Sequence, residues 1–325
     1  MMRLSTVLLL PLLALPYVSA HGFVHKVWIG TKTFTGNTPN AEPTGSIVRQ
    51  INNVDPVKGA DNPAVNCGND AQLAADIADA NPGDAMSFLW TGGDLSKWPH
   101  NIGPMLTYMA SCGSTDCTTF DSTKAKWFKI AQVGRIPGDS DGTWFQNRIF
   151  ETAGVAANVT LPNNIAPGAY LIRHEIIALH LANKAGGAEF YPSCSQIRVG
   201  GSGTGVPKDS ELVSLPGAYS DTDPGILVPD VFDTPPAPYT FPGPPIAAFV
   251  ASSGSGSGSG SGSASPSATA TRAPSSSPTS QPKGKSCKLK RAPTSPVAKR
   301  TVAPRPHHVS RIMRDLAVSF GGAAH

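Results

Sequence analysis

The residue best placed to do chemistry is a histidine that signal cleavage is expected to expose. Residues 1–20 have the pattern of a secretory signal, with Arg3 before an apolar stretch and a small-residue cleavage site at 18–20. The mature chain is therefore predicted to begin at His21. An N-terminal histidine offers both its α-amine and its ring Nδ1 to one metal ion, and an α-amine with a reference pKa of about 7.7–8.0 is partly neutral near neutrality.

A second imidazole would complete a planar set of three nitrogens. His100 is the candidate, because it lies in a turn-like stretch at 98–104, directly before a β-favouring run. A planar nitrogen set suits Cu(II), whereas structural zinc prefers a tetrahedral site. His25, four residues after His21, is expected to be a surface or edge residue and His174 a structural one. By itself this pattern is suggestive only, since any residue can follow a signal.

Several motifs, in order along the chain, resemble the fungal lytic polysaccharide monooxygenases of auxiliary activity family 9. The similarity spans residues 21 to about 248 and is more specific than any single motif. It is carried by His21-Gly22, Trp98-Pro99-His100 with Gly103-Pro104, Tyr108-Met109-Ala110, the run Arg173 to His180, Tyr191-Pro192-Ser193-Cys194, Pro216-Gly217-Ala218-Tyr219, Asp223-Pro224-Gly225-Ile226 and Phe241-Pro242-Gly243-Pro244-Pro245.

The resemblance implies a role for each matching residue. The α-amine and ring of His21 and the ring of His100 would bind one copper ion. Tyr191 would lie on the axial side of the metal without bonding firmly to it. His180 would hydrogen-bond, and help to protonate, the oxygen species at the metal. Tyr219 would be a surface aromatic residue that stacks on sugar rings.

One position departs from the family pattern. Two residues before Tyr191 the family usually carries glutamine, and this chain has Glu189. An ionised carboxylate accepts hydrogen bonds but cannot donate one as an amide does. Its charge would also stabilise Cu(II), so we expect a site that binds copper but turns over more slowly, or with a stronger pH dependence, than usual.

The activity that the resemblance implies is oxidative cleavage of β-1,4-glycosidic bonds in cellulose or related glucans. It uses hydrogen abstraction at the first or fourth carbon, O2 or hydrogen peroxide, and an external small-molecule or protein reductant. One alternative is a non-catalytic copper-binding or glucan-binding protein on the same scaffold. Another is a glycoside hydrolase with paired acids such as Asp139 and Asp141, or Glu175 and Glu189, although their spacing does not indicate a cleft.

The elements that must position these residues are predominantly β-strands. Helical periodicity is scarce, and short β-favouring runs alternate with Pro, Gly, Asn and Asp turns. We therefore predict an all-β, antiparallel, immunoglobulin- or fibronectin-like β-sandwich with long loops and short helices. The strands are expected near 23–29, 85–90, 105–109, 127–133, 158–161, 170–179 and 196–199, and one short helix at 69–80.

The five cysteines suggest two disulfides and one leftover thiol in an exported chain. The close spacing of Cys112 and Cys117 favours a loop disulfide, which leaves Cys67 with Cys194 and Cys287 unpaired. Zinc ligation is discounted because the spacing lacks C-x-x-C pairs. Asn158-Val159-Thr160 is an N-glycosylation acceptor.

The chain divides into a catalytic body and a low-complexity end. The net charge of +4 combines residues 21–250, with 14 basic and 21 acidic residues, residues 283–325, with 10 and 1, and two arginines outside these ranges, Arg3 and Arg272. Residues 251–282 form a Gly/Ser/Thr/Pro-rich linker that is predicted to be disordered, and the basic tail after it lacks the tryptophan and tyrosine of a cellulose-binding module. We expect a secreted monomer with no stable membrane anchor and no nucleic-acid partner.

Overall fold

The computed structural model describes residues 19–253, which form two stacked β-sheets. Sheet A has the order β2-β1-β4-β7, and sheet B the order β3-β9-β8-β5-β6. All pairs are antiparallel except the parallel pair β3 and β9, so the predicted all-β sandwich is confirmed. The strands are β1 (Gly22–Ile29), β2 (Lys32–Thr35), β3 (Ala78–Ala80), β4 (Ala85–Gly92), β5 (Met105–Ser111), β6 (Phe128–Val133), β7 (Ala157–Thr160), β8 (Gly168–Ala178) and β9 (Glu189–Val199).

Helices are short and lie outside the two β-sheets. The two α-helices are α1 (Gln146–Glu151) and α2 (Ala248–Ser253), and 3-10 turns occur at Pro63–Val65, Ser122–Lys124 and Asp209–Glu211. Helix α2 extends to residue 253, three residues into the predicted linker, and its Phe249 packs on Phe128 at a ring-centroid distance of 5.8 Å.

The helix predicted at 69–80 is wrong. This segment is extended and ends in β3. Its amides bond to a distant part of the chain: Gln72 N donates to Gln50 O at 2.8 Å, and Asp76 N donates to Ser46 O at 2.9 Å. Backbone pairing with residues 46–50 replaces the hydrogen bonds that a helix would have made within itself.

Sheet B is covered on both faces, which explains why β8 and β9 are buried almost throughout. Along these strands successive side chains alternate between the two faces. The inner face packs against sheet A and carries His174, Ile176 and Tyr191. The outer face packs under the long loops and carries Arg173, Glu175, Ile177, Phe190 and Cys194.

Covalent and ionic links hold the loops on the outer face. The disulfides Cys67–Cys194 and Cys112–Cys117 are both present, as the spacing predicted. Beside the first, the fully buried Arg173 donates to the carbonyl of Asn66 at 2.8 Å and pairs with Glu175 at 2.9 Å. A buried charge needs such partners, because an unpaired one is strongly destabilising.

Parts of the domain prediction lie outside the described residues. These are most of the signal segment 1–20 and the linker, the whole basic tail, and Cys287. Within residues 19–253, no helix is both long and apolar enough to cross a membrane.

The buried imidazole between the sheets predicts a pH-dependent stability. His174 stacks on Phe88 at 4.4 Å and accepts a hydrogen bond from Trp90 Nε1 at 3.1 Å. Burial, and secondarily Arg173, lowers the pKa of His174 from 6.5 to about 3. Between these values the unfolded chain binds a proton that the folded chain does not, so stability falls as the pH falls below about 6.5.

A His174→Leu variant tests this assignment by chemical unfolding at several pH values. At pH 7 the variant should be less stable by about 1–3 kcal/mol, because the Trp90 N–H loses its acceptor. Below about pH 6.5 this difference should shrink by up to about 1.4 kcal/mol per pH unit, since the variant has no imidazole to protonate. A difference that does not change with pH would show that His174 is not buried in the neutral form.

Candidate metal centre

The predicted mature N-terminus lies at one end of the sandwich, pinned to the end of β4. Gly22 is the register partner of Gly92, and His21 O accepts a hydrogen bond from Gly93 N at 2.9 Å. A Cβ on Gly22 would collide with the carbonyl of Thr91, so only glycine permits this close approach of the two strands. The position of His21 is therefore set by the backbone.

His100 lies on the connection from β4 to β5, which crosses from sheet A to sheet B. The connection is attached just beyond the end of β8 by a hydrogen bond from Leu179 N to Ile102 O at 2.9 Å. Gly103 has a φ of +128°, and a Cβ there would collide with the carbonyl of Ile177. The glycine thus allows the chain that bears His100 to lie directly on sheet B.

A fully buried indole fills the space between these elements. The ring of Trp98 has edge-on contacts with Trp90 at 5.2 Å, His100 at 5.4 Å and Tyr191 at 4.9 Å. Trp90 belongs to sheet A and Tyr191 to sheet B, so Trp98 fixes the relative positions of side chains from both sheets.

Three imidazoles and one phenol converge at this end of the molecule. The ring centroids of His21 and His100 are 6.3 Å apart, and the Nε2 of His100 lies 3.0 Å from the hydroxyl of Tyr191. His180, on the connection from β8 to β9, stacks on His100 at 4.6 Å with an interplanar angle of 16°. The side chain of His21 is 31% exposed, so the cluster opens to solvent.

Glu189 joins these groups from the first position of β9. Its Oε2 accepts a hydrogen bond from the Tyr191 hydroxyl at 2.9 Å and lies 3.5 Å from His100 Nε2 and 3.8 Å from His180 Nε2. Its Oε1 lies 3.1 Å from Lys58 Nζ. Sequence analysis missed Lys58, because nothing near it in the sequence indicates a partner 131 residues away.

Burial and charge set the protonation states in the cluster. Burial, followed by the nearby His180, lowers the pKa of His100 to about 3, so its ring is neutral and keeps a lone pair for a metal. Burial alone would raise the pKa of Glu189, but His180 and Lys58 outweigh it and hold that pKa below its usual value. Burial and the Glu189 carboxylate raise the pKa of Tyr191, so the phenol keeps its proton.

The donor atoms fit a copper ion. His21 and His100 contribute imidazoles, and signal cleavage would add the α-amine of His21 to complete a three-nitrogen set. His100, His180 and Glu189 also place one donor atom each within 4.8 Å of one another. The rings of that second group are nearly parallel, so their nitrogen lone pairs do not converge on one point, and the set is poorly arranged to share an ion.

The assignment of Tyr219 to the sugar-binding surface is wrong. Tyr219 is only 7% exposed and packs on Phe190, on the outer face of sheet B. Its hydroxyl donates to Glu175 Oε2 at 2.8 Å and is 2.9 Å from the Tyr108 hydroxyl. This tyrosine completes the buried polar network around Arg173. Because Glu175 is fully buried in that network, it cannot act as an acid in a glycoside hydrolase.

The remaining sequence candidates lie away from the cluster. Asn158 is exposed on β7, where its Oδ1 accepts a hydrogen bond from Ser87 at 2.7 Å, and its glycosylation stays a prediction. His25 is partly buried at a bulge in β1, and Asp139 and Asp141 lie in an exposed turn.

Comparisons with known proteins point to one family. Residues 21–239 match the model of Auxiliary Activity family 9 (formerly GH61). AA9 family lytic polysaccharide monooxygenase D of Gloeophyllum trabeum is 47% identical over 339 aligned positions, which cover 98% of this chain and 96% of that protein. The chain is also similar to the extended catalytic domain of H. jecorina LPMO9A, at 32% identity and a TM-score of 0.64, covering 74% and 96% of the two chains. A cellulose-active polysaccharide monooxygenase from M. thermophila is 34% identical, with a TM-score of 0.62 and coverage of 70% and 98%.

A Tyr219→Phe variant separates a structural from a sugar-binding role. Loss of the hydroxyl leaves Glu175 with one donor fewer, so the free energy of unfolding should fall by about 1–3 kcal/mol. Binding to cellulose, measured by depletion from solution, should be unchanged. Weaker binding with unchanged stability would return Tyr219 to the binding surface.

Proposed function

Because this chain belongs to auxiliary activity family 9, the lytic polysaccharide monooxygenases, we propose that it cleaves β-1,4-glucan chains, cellulose foremost, by copper-dependent oxidation. Oxidative cleavage of polysaccharides is the activity of the family. The choice of cellulose is supported by the solved M. thermophila relative, which is described as cellulose-active. The observation that carries the proposal is the convergence of His21, His100 and Tyr191 at a solvent-open end of the sandwich.

In this proposal His21 and His100 would hold one copper ion, with the Tyr191 phenol beside them. A bound copper ion would accept an electron from an external reductant and, with O2 or hydrogen peroxide, would supply the oxidising power to remove hydrogen from the first or fourth carbon of a glucose unit. The neutral state of His100 suits this task, because only the neutral ring can donate its lone pair.

The surrounding side chains control protons. The raised pKa of Tyr191 keeps its phenol neutral, and its O–H is directed to Glu189 Oε2. His180 is 22% exposed, so it can exchange a proton with solvent, and its Nε2 faces the cluster. Burial lowers the pKa of His180, so the ring is mainly neutral at pH 7, and its single N–H can still donate a hydrogen bond to the co-substrate.

The loop at 228–240 offers a replacement for Tyr219 as the aromatic residue that contacts sugar. Val228 N donates to Ala182 O at 2.8 Å, which ties this loop to the segment that carries His180. On the same loop Phe232 is 53% exposed although the preceding Val231 is buried. An exposed aromatic ring beside a polysaccharide-active site is suited to stacking on the apolar face of a sugar.

The remaining features fit an extracellular enzyme. We propose that cleavage after residue 20 releases a secreted, monomeric protein that starts at His21, and that Asn158 is glycosylated. Its partner in this proposal is cellulose, which the catalytic domain binds.

Product analysis tests the proposed activity. Copper-loaded protein beginning at His21 should release oxidised oligosaccharides from swollen cellulose in the presence of ascorbate and none in its absence, as measured by mass spectrometry. A His100→Ala variant should form at least about a hundredfold less product. It keeps only the amine and ring of His21, and these two nitrogens bind copper less well than the full set of three. Tight copper binding without oxidised products would instead support a non-catalytic copper protein, and cleavage without copper or reductant would support a hydrolase.

A Phe232→Ala variant tests the proposed sugar contact. Its affinity for cellulose should fall about threefold to tenfold, the loss expected for one stacking ring. Val206→Ala is the matched control, because Val206 is also exposed, at 61%, but lies far from the site. The preceding residue, Gly205, pairs with Ile165 just before the start of β8, whereas His180 follows the end of β8. Equal binding by both variants would remove Phe232 from the binding surface.

A further inference from the structure

An ion pair joins the carboxylate of Glu189 to a side chain outside the cluster. Lys58 Nζ lies 3.1 Å from Glu189 Oε1 and donates a hydrogen bond to the carbonyl of Gly187 at 3.0 Å. The lysine side chain is 42% exposed, whereas that of Glu189 is 6% exposed. One member of this ion pair therefore contacts solvent, and the other lies inside the candidate metal centre.

The backbone holds this lysine in place. The adjacent residue, Val57, exchanges two hydrogen bonds with Phe190, at 2.9 and 3.0 Å. This isolated bridge places Lys58 beside the start of β9, where Glu189 begins the strand. Because backbone hydrogen bonds hold the residues next to both Lys58 and Glu189, this ion pair is more rigid than one between two flexible side chains at a surface.

The two carboxylate oxygens of Glu189 serve different partners. Oε1 is directed outward to Lys58, whereas Oε2 is directed inward to the Tyr191 hydroxyl and the Nε2 atoms of His100 and His180. Without Lys58, the buried Glu189 carboxylate would have only histidines beside it, and these can be neutral. Removing one member of a buried ion pair strongly destabilises the charge that remains. It would also be free to rotate, and a carboxylate oxygen is itself a ligand for a divalent metal.

We propose that Lys58 is a positioning residue of the metal centre, which holds Glu189 by one oxygen and offsets its charge. With Oε1 held, Oε2 remains the hydrogen-bond acceptor of the Tyr191 hydroxyl, faces the His180 ring at 3.8 Å, and stays out of the metal's coordination sphere. Lys58 and Glu189 together carry no net charge, so the metal centre can contain a carboxylate without gaining a negative charge. This inference rests on the proposed copper site at His21 and His100.

The test is a double-mutant cycle on the mature protein with Cu2+ as the probe. Copper affinity is measured by calorimetry and coordination by electron paramagnetic resonance (EPR), so neither readout depends on turnover. The variants are Lys58→Met, Glu189→Gln, the double variant, and Lys58→Arg as the conservative replacement. Lys32→Met is the matched control, because it removes the same charge from an exposed strand of sheet A.

Lys58→Met should tighten Cu2+ binding about tenfold and change the EPR spectrum, because an uncompensated carboxylate faces the metal. Glu189→Gln should weaken binding by a similar factor, since Lys58 is then unpaired. The double variant and Lys58→Arg should return close to the wild-type affinity and spectrum, and Lys32→Met should change neither.

Three other outcomes are distinguishable. If the wild-type protein binds Cu2+ and Lys58→Met has the same affinity and spectrum, the role given to Lys58 is wrong and the proposed copper site stands. If Lys58→Met changes the EPR spectrum just as much when residue 189 is glutamine, Lys58 does not act through Glu189, which also overturns the inference. If the wild-type protein does not bind Cu2+, the proposed function itself fails.

Discussion

The candidate metal centre depends on the packing of Trp98 between the two sheets. Its indole touches Trp90 of sheet A and Tyr191 of sheet B, and it lies two residues before His100. Protein interiors are close-packed, so a buried ring of this size fixes the distance between the surfaces that it separates. The N-terminal histidine, the loop histidine and the phenol meet because the chain crosses between the sheets at this residue.

Both faces of sheet B carry polar networks that follow one physical rule. On the outer face Glu175 is buried with Arg173 and Tyr219. On the inner face the buried Glu189 pairs with the partly exposed Lys58 and accepts a hydrogen bond from Tyr191. In each network a carboxylate is compensated by one cation and by a tyrosine hydroxyl. The outer network is closed and stabilises the loops, whereas the inner one lies beside a solvent-open cluster of imidazoles, where it can influence a metal.

Much of the fold could be predicted from the sequence because most strands have a local signature. Seven β-favouring runs correspond to observed strands, but the signal fails where tertiary pairing decides. The sequence does not indicate the first half of β9, because a proline such as Pro192 is rare inside a strand. The proline is tolerated because it lies between the isolated bridges at Phe190 and Ser195, where no neighbouring strand needs an N–H donor. The false helix at 69–80 has suitable composition, but its amides bond to residues 46–50.

Most residues of the candidate site could also be predicted from the sequence. His21, His100, His180, Glu189 and Tyr191 were identified from motifs, and the structure brings them together. Tyr219 was misplaced because an aromatic residue in a loop motif gives no local sign of which side faces solvent. Lys58 was missed because its function exists only through a contact across 131 residues.

The central claim, that the freed N-terminus of His21 and the ring of His100 bind one copper ion, is tested most directly by EPR of Cu2+ with two forms of the protein. One begins at His21, and the other retains Ala20, which converts the α-amine into an amide. The account predicts a tetragonal Cu2+ signal with coupling to three nitrogens in the first form and at least a hundredfold weaker binding in the second. Identical spectra and affinities for both forms would contradict it.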